Sequence, residues 1–185
     1  MYDAIVIGAR CAGAATAMLL ARHGHRVLLL DRSVFPSDVH QGHFIHQHGP
    51  QRLAHWGLLE KIVATNCPAV FTHLTDFGDF PLMGRDIRVG NVAWGYGPRR
   101  RYLDKVLVEA AIEAGAEFRS NFLVENLLWT NDQVRGIRGR DRRHSASSAE
   151  EAYITIGADG KNSGFARAVA APSYEEAPPL TCWYF

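Results

Sequence analysis

The 185 residues are 47% hydrophobic and 21% charged, a globular balance with enough apolar material for one cored domain. A net charge of +1 gives no field to gather nucleic acid or an acidic membrane face, and no apolar run approaches a bilayer span. Cys11, Cys67 and Cys182 are odd in number and lack metal-type spacing, which fits a reducing cytoplasm, and no charged leader precedes the first apolar run.

That first run, Ala4 to Ile7, is short and apolar, as a buried parallel strand requires, and Gly8 breaks it. Ala14, Ala17, Met18 and Ala21 then recur at helical spacing, and His23-Gly24 closes the helix. Val27 to Leu30 is a second apolar run, ending on Asp31. Strand, glycine-rich turn, helix, strand and acid make the layout of a dinucleotide-binding unit. In that layout Gly8 permits a tight turn and Gly13 lets the helix pack closely on the sheet. The helix amides and dipole then face a pyrophosphate. Asp31 can accept hydrogen bonds from ribose hydroxyls, and its charge repels a 2′-phosphate. Arg10 departs from the pattern, because it stands where a second glycine would give phosphates access to backbone. Its guanidinium either turns away or meets a phosphate itself. Cys11 sits where a helix N-terminus lowers a thiol pKa, although a small filler residue is the plainer role. The alternative for the whole stretch is a βαβ unit that holds no nucleotide.

Arg32 to His48 has no clear period and contains Pro36 and Gly42, so it reads as a long loop. Helical pieces follow from Gly49-Pro50 to Trp56, ended by Gly57, and from Leu58 to Ala64. Val70 to Val92 alternates loosely and suggests two or three short strands. Leu103, Val106, Leu107, Ala110, Ala111 and Ala114 mark one face of a helix stopped by Gly115, and Ala116 to Arg119 is the expected third parallel strand. Val124 to Trp129 and Gln133 to Arg138 flank a hairpin turn at Asn131-Asp132. Arg140 to Ala149 reads as a solvated loop, and Tyr153 to Gly157 as the last buried strand, leading into Ala158-Asp159-Gly160. The expected class is α/β, with a parallel sheet, crossover helices and a small antiparallel meander.

Three separated motifs occur together: Gly8-Ala-Arg-Cys-Ala-Gly13 with Asp31, Arg99-Arg-Arg-Tyr-Leu103-Asp104, and Gly157-Ala-Asp159-Gly160-Lys-Asn-Ser163. In these the chain resembles the amino-terminal half of flavoprotein monooxygenases of the para-hydroxybenzoate hydroxylase type and their geranylgeranyl-reductase-like relatives. The resemblance covers nearly the whole chain and implies a Rossmann-like FAD-binding fold. It implies that Gly8, Arg10, Cys11, Ala12, Gly13, Asp31 and Arg32 surround the FAD phosphates and ribose. It also implies that Arg100 lies near FAD, that the backbone of Val124 meets the adenine, and that Asp159 and Gly160 approach the pyrophosphate side. Read from the residues alone, Arg99 to Arg101 place three cations at a helix start, where the dipole disfavours them and an anionic partner would offset the cost. A solvated basic patch is the alternative.

His40, His43, His46 and His48 place four imidazoles in one loop, but no nearby cysteine or acid cluster completes a familiar metal spacing. The resemblance puts this loop beside the flavin ring, so His43 or His46 lines the active site. No catalytic base is assigned.

The implied reaction is hydroxylation of a small organic substrate, with NAD(P)H as electron donor and oxygen as co-substrate. The alternatives are reduction of isoprenoid double bonds, or a nucleotide-binding module without turnover. Residues 1–171 are the expected FAD-binding domain and 172–185 the start of a substrate-domain segment. The family's later Gly-Asp motif is expected beyond Phe185. Substrate and oligomeric state are left open.

Overall fold

The computed structural model describes residues 1–39, 43–85 and 88–178. In chain order the elements are β1 (Tyr2–Ile7), α1 (Cys11–Arg22), β2 (Val27–Leu30), α2 (His48–His55), α3 (Leu59–Val63), β3 (Ala69–Val70), β4 (Thr72–Asp76) and β5 (Pro81–Arg85). There follow β6 (Gly95–Tyr96), α4 (Arg100–Glu113), β7 (Glu117–Arg119), β8 (Phe122–Thr130), β9 (Gln133–Asp141), β10 (Ala146–Gly157) and α5 (Gly164–Ala168). They fall into two units, Met1–Ser37 with Leu107–Phe185, and Asp38–Val106.

The first unit is built on a six-stranded sheet in the order β7-β2-β1-β10-β9-β8. β7, β2, β1 and β10 run parallel. Parallel strands need both faces covered, which is why β1 and β2 read as unbroken apolar runs. Ile5, Leu28, Leu30, Phe122, Ile137 and Ala152 form one buried cluster. α1 packs on β1 and β2, burying Ala14, Ala17, Met18 and Ala21. Tyr2, Glu117, Arg119 and Glu150 add a polar network on this sheet. The Tyr2 hydroxyl donates to Glu117 at 2.6 Å, and Arg119 pairs with both acids. Burial, and then the Glu117 hydrogen bond, push the Tyr2 phenol up to about 12.

Two expectations need correction here. Arg140 to Ala149 is not a loop, because β9 continues to Asp141 and β10 starts at Ala146 after a tight turn. Its polar residues are compatible with strand because β9 and β10 pair antiparallel from Asp141↔Ala146 to Gly136↔Glu151, with many side chains exposed. Nor is Tyr153 to Gly157 a buried strand in its own right. It is the second half of β10, which leaves β9 after Glu151 and pairs with β1 from Ala152. Beyond Glu151 only one neighbouring strand is recorded among the described residues, and Tyr153 and Ile154 are 58% and 59% exposed. The Asn131-Asp132 turn forms as expected, with φ of 49° and 60°.

The second unit carries α2, α3 and two small ribbons, β3 with β6 and β4 with β5. Leu53, Leu58, Ile62 and Val92 are buried, while Leu74, Phe77, Phe80, Leu82 and Met83 on and beside the β4–β5 ribbon are exposed. α4 runs across the division at Val106 and Leu107.

Candidate functional site

The corner between β1 and α1 lies at the carboxyl ends of the parallel strands. The Gly8 amide donates to the Leu30 carbonyl and the Ala158 amide to the Ile7 carbonyl, both at 2.7 Å, so β1, β2 and β10 end together. Gly8 has φ +102°, and a Cβ there would lie 2.3 Å from the Ala158 oxygen. A Cβ on Gly13 would lie 1.7 Å from the Gly8 oxygen. Both positions therefore require glycine, one for conformation and one for contact. α1 starts directly behind this turn with Arg10 as its N-cap residue. The Arg10 side chain makes no capping hydrogen bond to the helix, and no acid stands in its first turn. Its leading amides and positive dipole end make this corner a candidate anion receptor. Cys11 is partly exposed and Ala12 exposed at this end.

Asp31 lies beside that receptor and is only 7% exposed. Its Oδ2 accepts from the Ala9 amide at 2.8 Å and its Oδ1 from the Ser33 amide at 2.7 Å. Each carboxylate oxygen has a second lone pair, so the group can still accept from a hydroxyl. Arg10 turns to Ser37, donating to its carbonyl at 3.2 Å and its hydroxyl at 2.8 Å, and lies 4.8 Å over the Phe35 ring. Arg32 is exposed, and its carbonyl accepts from Arg142 at 3.4 Å.

The neighbouring corner, from β10 to α5, is closed by its own side chains. The Asp159 carboxylate accepts from the Ser163 hydroxyl and from the amides of Gly164, at 2.7 Å, and Phe165, at 3.1 Å. Ser163 in turn accepts from the Ala166 amide at 2.9 Å. Burial pushes the Asp159 carboxyl up, but Ser163 and the surrounding amides outweigh it and hold the group below the usual carboxylate range. Gly160 has φ +88°. A cavity of about 150 Å³ opens here, lined by Ile7, Val124, Asn126, Leu127, Asp159 and Phe165 among others. Val124 adjoins a bulge in the β8–β9 ladder between Val124 and Asn126. Gly8, Gly13, Asp31, Val124, Asp159 and Gly160 thus all belong to the first unit, with Gly8 packed on Ala158 and Val124 and Asp159 sharing one cavity. A larger opening of about 370 Å³, lined by Phe118, Arg119, Ser120 and Phe122 among others, contains none of the expected cofactor residues.

His43 and Arg100 belong to the second unit. Arg100 is buried and pairs with the fully buried Asp104 one turn on, the closest contact being 3.0 Å. The cations at the start of α4 have an internal anion: Asp38 pairs with the Arg99 guanidinium and accepts from the Arg101 amide at 3.2 Å. Desolvation pushes the Asp38 carboxyl up, yet the Arg101 amide and then Arg99 bring it below its ordinary value. The offset expected from an outside partner is thus supplied in part from within the unit. His43, His46 and His48 are exposed. The His46 ring stacks on His73 at 5.9 Å, with Phe44 edge-on to both. Among the described residues no three His, Cys, Asp or Glu side chains are grouped to hold a metal; His40 and Cys182 lie outside the described residues.

Ser33, Ser37, Asp38, Asp104 and Ser163 were not read from the sequence as partners of the site residues. Two left a signal: Asp104 sits four residues after Arg100 on one helix, and Ser163 immediately precedes a helix. The other three act across loops, where spacing carries no geometry.

The model of the family described as "FAD binding domain" matches residues 1–183. The chain is 30% identical over 186 residues to protein FixC of Salmonella typhi, covering 96% of this chain and 41% of that protein. It is 30% identical over 174 residues to digeranylgeranylglycerophospholipid reductase 2 of Methanothermobacter thermautotrophicus, covering 90% and 41%. The myxobacterial chondrochloren halogenase CndH, described as an FAD-dependent halogenase, has the same fold at a TM-score of 0.82. It is 23% identical, with 90% of this chain and 39% of that one covered. The chain spans about two fifths of the length of these curated relatives.

Proposed function

The chain belongs to the FAD binding domain family, and from that premise we propose that it holds FAD in an oxidoreductase acting on a small organic substrate. The observation that carries this reading is the glycine turn at Gly8 and Gly13 leading into the N-terminus of α1, with the buried Asp31 carboxylate tied to that turn through the Ala9 amide. These residues fit the cofactor: an anion receptor for the pyrophosphate, an acceptor for the ribose, and a cavity at the same sheet edge.

When bound, FAD supplies hydride- and electron-transfer chemistry that side chains lack. The α1 amides would donate to the pyrophosphate. Asp31 would accept a hydrogen bond from a ribose hydroxyl while the Ala9 and Ser33 amides hold its orientation. The bulge at Val124 to Asn126 frees main-chain polar groups from the ladder, and a base edge can use them. Asp159 shapes the turn beside the cavity through its bonds to Ser163 and Gly164. Arg100 and His43 enter as cofactor contacts through the family resemblance alone. NAD(P)H is the proposed donor. The odd cysteine count without metal-type spacing is the ground on which we place the protein in the cytoplasm.

Two reactions suit this role. Reduction of isoprenoid double bonds is favoured by the 30% identity to a lipid reductase. Hydroxylation is favoured by the resemblance of the three motifs to aromatic hydroxylases. The full protein, incubated with NADPH and either a geranylgeranyl lipid or a panel of phenols, separates them. Saturation of the lipid without oxygen supports reduction, whereas substrate-dependent oxygen uptake without peroxide release supports hydroxylation. A purified protein that takes up no FAD would end both readings.

A further inference from the structure

We propose that Arg10 is a positioning residue for the dinucleotide: it locks the loop after β2 onto the glycine turn and makes no direct phosphate contact. The inference rests on the FAD reading above.

The position is the one at which the glycine fingerprint is broken. Arg10 has φ −82° and ψ −168°, a backbone state open to any residue, so the fold permits a side chain here. That side chain is spent on the loop. Two of its nitrogens donate to Ser37, one to the carbonyl and one to the hydroxyl. Its guanidinium lies over Phe35, and Phe35 meets Phe118 of β7 edge-on at 5.5 Å. A planar fork that bridges two acceptors and stacks on a ring is an arginine function that lysine does not reproduce.

The second observation is independent. Asp31 makes the reverse stitch, reaching from the loop to the Ala9 amide in the turn while also binding the Ser33 amide. Turn and loop are therefore tied twice, once by a side chain from each. The two ties fix the carboxylate that would take the ribose relative to the amides that would take the pyrophosphate. Such preorganisation improves affinity by removing the cost of ordering the loop on binding.

The test measures FAD affinity by flavin fluorescence in the full protein. It compares Arg10→Lys, Ser37→Ala and the double variant at low and high salt, and records the melting temperature of each apoprotein. Arg10→Lys keeps the charge but loses the fork, and is expected to weaken FAD about fivefold to tenfold. Ser37→Ala, which leaves the carbonyl acceptor, is expected to weaken it about threefold. The double variant should bind no more weakly than Arg10→Lys, because both changes open the same lock. The salt dependence should match the wild type, and hydrogen exchange at the Ala9 and Ser33 amides should rise in both single variants. Apoprotein melting should shift little, which a merely structural role would not allow. Full affinity in Arg10→Lys overturns the proposal. So does a loss that is confined to low salt and absent from Ser37→Ala, since that pattern marks direct phosphate contact. Wild type that binds no FAD overturns the site reading itself, an outcome distinct from a wild type that binds beside variants that bind equally well.

Discussion

The two strand–turn–helix corners at the ends of β1 and β10 are neighbours in one sheet and opposite in design. At the first, the twelve-residue α1 starts with an N-cap residue, Arg10, whose side chain makes no capping bond and reaches Ser37. At the second, the five-residue α5 is capped by Ser163, and Asp159 holds the Ser163 hydroxyl and two leading amides. A helix start needs acceptors for its orphan amides, and a protein can supply them from its own chain or reserve them for a ligand. The difference teaches that the Asp-Gly turn completes its own structure with its own side chains, whereas the Gly8 turn is the one to which a cofactor role is proposed.

The largest expected effect tests the open corner. Gly13→Ala would place a methyl carbon 1.7 Å from the Gly8 oxygen and drive the helix from the strand. A loss of about 3 kcal/mol in denaturant unfolding is expected, with FAD uptake abolished. Normal uptake would show that close helix–turn contact is not what builds this corner. Asp31→Ala comes next. It strands the Ala9 and Ser33 amides and removes the proposed ribose acceptor, so FAD fluorescence titration should show about tenfold weaker binding or more. Affinity equal to wild type would remove Asp31 from the site.

The closed corner should respond the other way round. Asp159→Ala should cost about 1 kcal/mol of stability through the lost cap while changing FAD affinity less than about threefold. A loss of affinity as large as that of Asp31→Ala would erase the contrast and make Asp159 a cofactor ligand as well. The smallest effects are in pH. The Asp159 carboxyl is held below its ordinary value of 3.8, so its contribution is present above that pH and is lost as pH falls through the lower folded value. Acid unfolding of Asp159→Asn should lack this component. At the alkaline end, unfolded Tyr2 ionises near 10.0 and folded Tyr2 only near about 12. Stability should therefore decline across that interval, and the decline should vanish in Tyr2→Phe while both corners stay intact. That makes Tyr2 a control for the sheet alone.

Much of the first unit was legible because its physics is local or periodic. Ala4 to Val6 and Val27 to Leu30 are buried, so they carry no polar residue to obscure them, and Gly8, Gly13 and the Asn131-Asp132 turn are positions that few other residues can occupy. The sequence alone therefore determined the βαβ core, the meander and the candidate pyrophosphate corner. Tertiary structure set which protein groups the polar side chains meet. Arg10 reaches Ser37, Asp159 holds the start of α5, and Asp38 pairs with Arg99 just before α4. It also decided that Arg140 to Ala149 continues two strands, because polar exposed residues serve a paired ladder as readily as a loop. In each case the competing partners differ by a hydrogen bond or two. Which of them lies within reach is set by how distant segments pack, and residue spacing along the chain does not encode that distance.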